Sequence, residues 1–226
     1  MWAIIKKEVK TYFLSPIGYI FIGTFLLLSS IFFYEYIYLS LEYSSLFYYT
    51  AELLTFTIVL LTMGMFAGER KNGTETLLLT SSRSITSIVV GKLLAASIVV
   101  VVTEICSLMY YVILCSFAGE ITNLGESFAT LVGFLLLAMS YISFGMLISS
   151  LTENQIIAGA VTIALLILSW FLPSLSESLY MLSPISLFQK FPEGLIAVEE
   201  TIALISQIVM FTLLTVIVMQ RRKNLK

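Results

Sequence analysis

Two residue types are missing outright. The 226 residues contain no histidine, and all fourteen acids are glutamate, so aspartate is absent as well. Histidine-ligated metal centres, Ser–His pairs, catalytic triads and paired-aspartate sites are therefore excluded. Cysteine is almost absent. Cys106 and Cys115 fall in or at the end of one apolar run, which gives neither a disulfide framework nor a metal site. They read as small lipid- or helix-facing residues. A phosphate-binding loop is lacking too. Gly91-Lys92 is the only Gly-Lys pair, and the first glycine such a loop needs would stand where this chain has Thr86. Charge is the last scarcity: 12% of residues are charged, against roughly a quarter in a soluble domain.

What fills the chain instead is apolar. Hydrophobic residues make up 59% and the mean hydropathy is +1.01. So little polar surface cannot cover a water-soluble particle, and lipid supplies the missing solvent. The fold class is an all-α, polytopic membrane protein. Six apolar stretches approach the roughly 20 residues that a helix needs to cross hydrocarbon: 17–39, 48–67, 88–117, 127–150, 156–172 and 201–219. Ser15 as cap and Pro16 at the first position start the first of them. Pro173 stops the fifth and shortest.

Residues 1–14 read as a separate amphipathic helix. Trp2, Ile5, Val9, Tyr12 and Phe13 recur at helical spacing, with Lys6, Lys7 and Lys10 opposite, the pattern of a helix lying in the membrane interface. A disordered leader is the alternative. A cleaved signal peptide does not fit, because the apolar run that follows is too long and ends without a small-residue cleavage site. Residues 15–226 then form one six-helix transmembrane domain.

Charge tests the count of six. Six crossings put both termini and the loops after spans two and four on one side. That side holds eleven of the twelve basic residues and leaves Lys190 alone opposite. The positive-inside rule makes the basic side cytoplasmic, in what is expected to be a bacterial inner or plasma membrane. Glu35, Glu42, Glu52, Glu120, Glu126, Glu177, Glu193, Glu199 and Glu200 lie toward the other face.

The stretch after span two, from Phe66 to Thr80, is the most informative. Asn72 with Glu75 three residues on has the form of a capping box and predicts a short helix over 72–81. Leu77, Leu78 and Leu79 are too apolar for an idle solvated loop. Two readings stand: the helix docks into a groove on a partner, or its leucines pack back on the membrane helices.

The run Glu69-Arg-Lys-Asn-Gly-Thr-Glu-Thr-Leu-Leu-Leu-Thr80, followed by Gly91-Lys92 near the start of the third helix, resembles the signature loop of ABC-2-type transporter permeases. The proline usual after the leucine run is absent, and Ser82-Arg83 occupies that region. A second stretch, Leu182 to Ile196, resembles the Ser-Pro…Phe…Gly-Val/Ile segment of the branch that includes gliding-motility and copper-reductase-associated permeases. Leu187 stands there where that branch often carries histidine. The resemblance covers the whole chain, including the amphipathic start and the Arg221-Arg222-Lys223 ending.

It implies a half-channel that pairs with a second permease chain, as a homo- or heterodimer, within membrane lipids. It also implies an exporter energised by a separate ABC ATP-binding subunit. ATP and Mg would sit on that partner, no cofactor would be bound by this chain, and nucleic acid is not an expected partner. Coupling to the ATPase subunit would fall to Glu69, Arg70, Gly73, Thr74, Glu75, Leu77, Leu78 and Leu79. In the same family, 173–200 is a re-entrant hairpin near the exit of the path, here marked by Pro184, Phe188 and Gly194. An ordinary external helix pair is the alternative.

Glu104 lies near the middle of span three with no basic residue at comparable depth, and an intramembrane acid marks a functional site by default. It either lines a hydrated path or is a neutral carboxyl bonded within the bundle. Gly64 and Gly68 form a Gly-x-x-x-Gly pair that would allow close helix approach. The aromatics Phe32, Phe33, Tyr34, Tyr36 and Tyr38 suit either an interfacial belt or an apolar path. A scaffold without substrate flux is the rival function. A secondary transporter would show internal repeats, and none is present.

Overall fold

The computed structural model describes residues 1–37, 43–80, 83–118 and 124–225. Among them the secondary structure is helical throughout. The helices are α1 (Trp2–Leu14), α2 (Pro16–Phe32), α3 (Tyr43–Thr62), α4 (Ala67–Lys71), α5 (Glu75–Thr80) and α6 (Ile85–Ala118). They continue with α7 (Leu124–Leu151), α8 (Gln155–Trp170), α9 (Leu172–Leu175), α10 (Pro184–Phe188) and α11 (Val198–Leu225). A π-helical turn, Phe33–Ile37, extends α2, and a 3-10 helix, Glu177–Leu182, joins α9 to α10. Tyr38, Leu39, Glu42, Ser81, Ser82 and Glu120, which figure in the sequence reading, lie outside the described residues.

Among the described residues five stretches are long and apolar enough to cross a membrane: Pro16–Glu35, Leu46–Lys71, Ile85–Phe117, Leu124–Leu151 and Val198–Asn224. The chain is thus an all-α polytopic membrane protein. The remaining expected span is α8. Its 16 residues give about 24 Å, short of the roughly 30 Å hydrocarbon core.

Helix α7 is the hub, packing against α3, α6, α8 and α11. Its inward face carries small and hydroxylated residues, Ser140, Ser143, Gly145 and Ser149, together with Phe134 and Tyr141, all buried. This is what helix association in lipid favours, since small side chains let backbones close up where no hydrophobic effect drives them together. Several buried hydroxyls are satisfied locally, as Thr50, Thr103, Thr162 and Thr215 donate to carbonyls four residues back, at 2.7–2.9 Å, whereas those of Ser29 and Thr212 find no partner among the described residues. The four bonded to their own helix need no water. Large apolar side chains face outward instead, among them Tyr19, Leu27, Ile105, Val112, Ile202 and Leu213.

The start of α2 departs from the expected cap. Ser15 is extended and Pro16 follows at the first position, but the Ser15 side chain makes no capping bond; its hydroxyl donates to the Tyr12 carbonyl instead. Helix α1 packs along α6 and α2. Its buried positions are Ile5 and Glu8, whereas Trp2 is exposed. The inner face therefore includes an acid that apolar periodicity did not mark.

Candidate functional site

The charged residues of the basic stretches converge on one end of the bundle, where α1, α4, α5, the start of α6, the end of α7 and the end of α11 meet. The turn between α4 and α5 sets the geometry. Asn72 closes α4, and Gly73 follows at a φ of +72°, a left-handed conformation that costs an L side chain but not glycine. The Gly73 amide donates to the Arg70 carbonyl at 3.0 Å and the Thr74 amide to the Glu69 carbonyl at 2.9 Å. This is the paired closure of a Schellman motif, which satisfies the last carbonyls of α4. The expected capping box is thus replaced. The Asn72 amide is taken by the Gly68 carbonyl, the next helix begins at Glu75, and the Glu75 carboxylate turns to arginine.

Arg70 is the fork of this turn. Its Nε donates to Glu75 Oε1 at 3.2 Å, its two terminal nitrogens to the Thr152 and Ser150 carbonyls at 2.8 and 2.9 Å. The guanidinium thus caps the free carbonyls at the end of α7, a position that favours a cation. Arg222, near the end of α11, reaches the same Glu75 oxygen at 3.6 Å. At the other end of the turn, the Ser149 hydroxyl accepts from the Phe66 and Ala67 amides at 3.1 Å and donates to the Met63 carbonyl at 3.0 Å.

A second knot lies alongside. Lys92 Nζ, with its side chain only 3% exposed, pairs with Glu69 Oε1 at 2.8 Å and Glu8 Oε2 at 3.1 Å. It stands 5.5 Å from the centre of the Phe66 ring. Gly91 makes the approach possible, since a Cβ there would lie 2.8 Å from Ile4 Cγ2 on α1. Tyr12 adds a hydrogen bond across the gap, its hydroxyl donating to the Leu61 carbonyl at 2.9 Å. Burial, reinforced by the carboxylates of Glu8 and Glu69, pushes the Tyr12 phenol far up, so it remains a donor. Lys92 thus ties α1, α4 and α6 together. A lysine after a glycine in an apolar helix, and one acid among the lysines of α1, were the available signals, but nothing in sequence pairs residues 84 apart.

The leucine run divides three ways. Leu77 is 74% exposed, Leu78 is half-buried and Leu79 is buried in the core. Beside α5 a groove of about 440 Å³ is lined by Ile4, Lys7, Leu77, Leu78, Arg83 and Ile88. The two readings of the leucines therefore apply to different residues: Leu79 packs back on the bundle and Leu77 does not. The expected glycine pair divides as well. Nothing approaches Gly64, and Gly68 meets the side chain of Gln155 on α8.

Glu104 is not part of this cluster. It lies twelve residues, about 18 Å, along α6 from Lys92, buried, and its Oε1 has no hydrogen-bond partner among the described residues. The segment marked by Pro184, Phe188 and Gly194 sits at the opposite end of the bundle. Pro184 is the buried first residue of α10, Phe188 is fully buried, and Gly194 adopts a φ of +79° against the side chain of Glu126. Gln207 on α11 holds this segment down. Its amide donates to the Met181 carbonyl at 2.8 Å and its oxygen accepts from Ser140 at 2.9 Å.

No curated protein matches the chain. The family described as ABC-2 family transporter protein matches residues 38–224, which include α3, the braced α4–α5 turn and every helix after it. The chain belongs to the ABC-2 transporter family, as a membrane permease subunit of the ABC transporter class.

Proposed function

We propose that this permease is the membrane subunit of an ATP-driven exporter, energised by a separate ATP-binding subunit that docks on the face made by α1 and α5. The carrying observation is Leu77. It stands exposed beside an apolar groove, on a helix whose own acid, Glu75, is locked to two arginines. A rigid platform presenting an apolar side chain suits an anchor for a protein groove. ATP hydrolysis then belongs to the partner, and the brace passes its movement from α5 to α6, α7 and α11.

Several further features support the finer reading. The basic residues gather where α1, the α4–α5 turn and the end of α11 meet, which fits both termini on the cytoplasmic side. Helix α8 starts at this end, beside Gly68, and finishes at Trp170 near the other, which fits a sixth crossing completed by α9. The apolar outward faces of α2, α6 and α11 fit lipid and a second permease chain. The segment 182–196 supports the gliding-motility branch.

The test is purification of the tagged chain in mild detergent with mass spectrometry of what accompanies it. A stoichiometric ATP-binding subunit is expected, together with its loss in Leu77→Glu while the chain itself inserts and elutes normally. Retention of the subunit by Leu77→Glu would overturn docking at α5. An ATPase that binds but is stimulated by no solute would favour the scaffold reading over export.

A further inference from the structure

At the end of the bundle remote from the charged brace, a polar pocket of about 180 Å³ opens between α3, the end of α8 and α10. Tyr48 and Glu52 from α3, Trp170 from α8, and Ser186 and Gln189 from the hairpin line it. Its volume is below the roughly 300 Å³ at which drug-sized pockets begin. It suits a single headgroup-sized moiety.

The charge at this site is unusual. Glu52 lies six residues, about 9 Å, inside the stretch Leu46–Lys71 that is apolar enough to cross a membrane. Among the described residues no lysine or arginine lies within ion-pair distance of it. Lys190 is the basic residue at this end, and it is held by Glu200 on α11. A carboxylate within a membrane-crossing stretch and without a cation is costly, and acids of this kind mark ligand or ion sites.

The two aromatics supply the rest. Tyr48 precedes Glu52 by one helical turn and so shares its face. Trp170 is fixed by an edge-to-face contact with Phe56, ring centres 6.4 Å apart. A carboxylate flanked by tyrosine and tryptophan rings is the combination that recognises ammonium groups, through charge on one side and ring quadrupoles on the others. The exposed Gln189 adds a neutral amide that can accept or donate a hydrogen bond, and the buried Ser186, its hydroxyl paired with Ser183 at 2.9 Å, lines the wall.

We propose that this pocket binds an ammonium group, primary or quaternary, with Glu52 as its counter-ion and Tyr48 and Trp170 as its aromatic walls. The ammonium comes either from a lipid headgroup or from a soluble amine. The site does not depend on the ATP-driven reading of the other end.

Trp2 and Trp170 are the only tryptophans, so Trp2→Phe leaves the indole of the pocket as sole reporter. In this background, purified in detergent, choline is expected to give a saturable change in emission. Its neutral carbon analogue, 3,3-dimethylbutanol, is expected to give none. Glu52→Gln should weaken choline binding at least tenfold with unchanged elution, because Glu52 is exposed and no bond in the bundle depends on it. Tyr48→Leu should weaken it several-fold.

Reconstitution separates the two sources. A soluble ligand gives the same choline titration in phosphatidylglycerol and phosphatidylethanolamine nanodiscs. A lipid ligand gives the shifted emission in phosphatidylethanolamine before any choline is added, and blocks the titration there. No saturable response in any of these conditions, or an undiminished response in Glu52→Gln, would overturn the proposal.

Discussion

The two ends of the bundle are held by different forces. At the basic end, Arg70, Lys92 and Arg222 bind five partners: the carboxylates of Glu8, Glu69 and Glu75 and the carbonyls of Ser150 and Thr152. At the other end, Phe191 stacks on Phe188, which packs against Phe134, which in turn meets Phe25 and Phe47. The contrast follows from what each end must hold. Helices α4 and α5, of five and six residues, bury too little apolar surface to be located by packing, and a charged fork fixes both position and orientation. The hairpin carries its own large apolar side chains and needs only a few polar ties, such as Gln207 to Met181. Directional bonds resist rotation where packed rings can slide. The basic end is accordingly the one suited to pass on an imposed movement, and the aromatic end the one suited to yield.

Breaking the charged end should have the largest effect. Lys92→Met leaves Glu69 without a cation and Glu8 with only the largely exposed Lys7, 3.4 Å away, and removing one partner of a buried ion pair costs about 3–5 kcal/mol. The midpoint of thermal unfolding in detergent should fall accordingly. Replacing all three residues together, with Glu8→Gln and Glu69→Gln added, should recover most of the loss. A single variant as stable as the parent would remove the claim that charge locates this end. At the aromatic end the matching break is steric. A Cβ at Gly133 would collide with the Phe191 ring, so Gly133→Ala should cost about 1–3 kcal/mol as an overpacked core, despite the better helix propensity of alanine. Gly64→Ala, where nothing lies within 4 Å, is its control and should cost nothing.

The same contrast explains what was legible in the sequence. Apolar length gave the spans: 127–150 was expected and Leu124–Leu151 is found, 88–117 was expected and α6 runs Ile85–Ala118. Helix ends were less legible, since apolar content does not say where a helix stops. The second span was expected to begin at residue 48 and α3 begins at Tyr43. Around residue 72 the pattern of side chains suggested a cap, while the Asn72-Gly73 pair carried the stronger signal, a helix end at Asn72 with glycine in the left-handed position after it. Phe188 and Pro184 were marked by motif, and the structure places both in buried contacts at the aromatic end. In the sequence Lys92 is visible as part of the family motif, as the lysine of the Gly91-Lys92 pair and as one of the basic residues. Its partners come from α1 and α4, and no local periodicity reports a contact between segments brought together by folding. Leu77 and Leu79 look alike in sequence, and the turn of α5 alone decides which is buried.

The smallest effect should come from the ion pair that has no brace around it. Lys190 and Glu200 form a contact at the aromatic end, and on paper it resembles those of Lys92. The bond from Glu200 raises the Lys190 ammonium above its ordinary range; the lysine is half exposed, and its loss leaves a buried Glu200, but at a place where a carboxylate is already favoured. Glu200 is in the first turn of α11, beside amide groups that no helical carbonyl uses. Of the two acids held by Lys92, Glu8 keeps only the exposed Lys7 at 3.4 Å, and the amides at the start of α4, where Glu69 stands, are already taken by the Ser149 hydroxyl and the Gly64 carbonyl. Lys190→Met should therefore lower the unfolding midpoint clearly less than Lys92→Met does under the same conditions. A loss of similar size in the two variants would mean that charge holds both ends alike, and the division of the bundle into a rigid end and a yielding one would have to be abandoned.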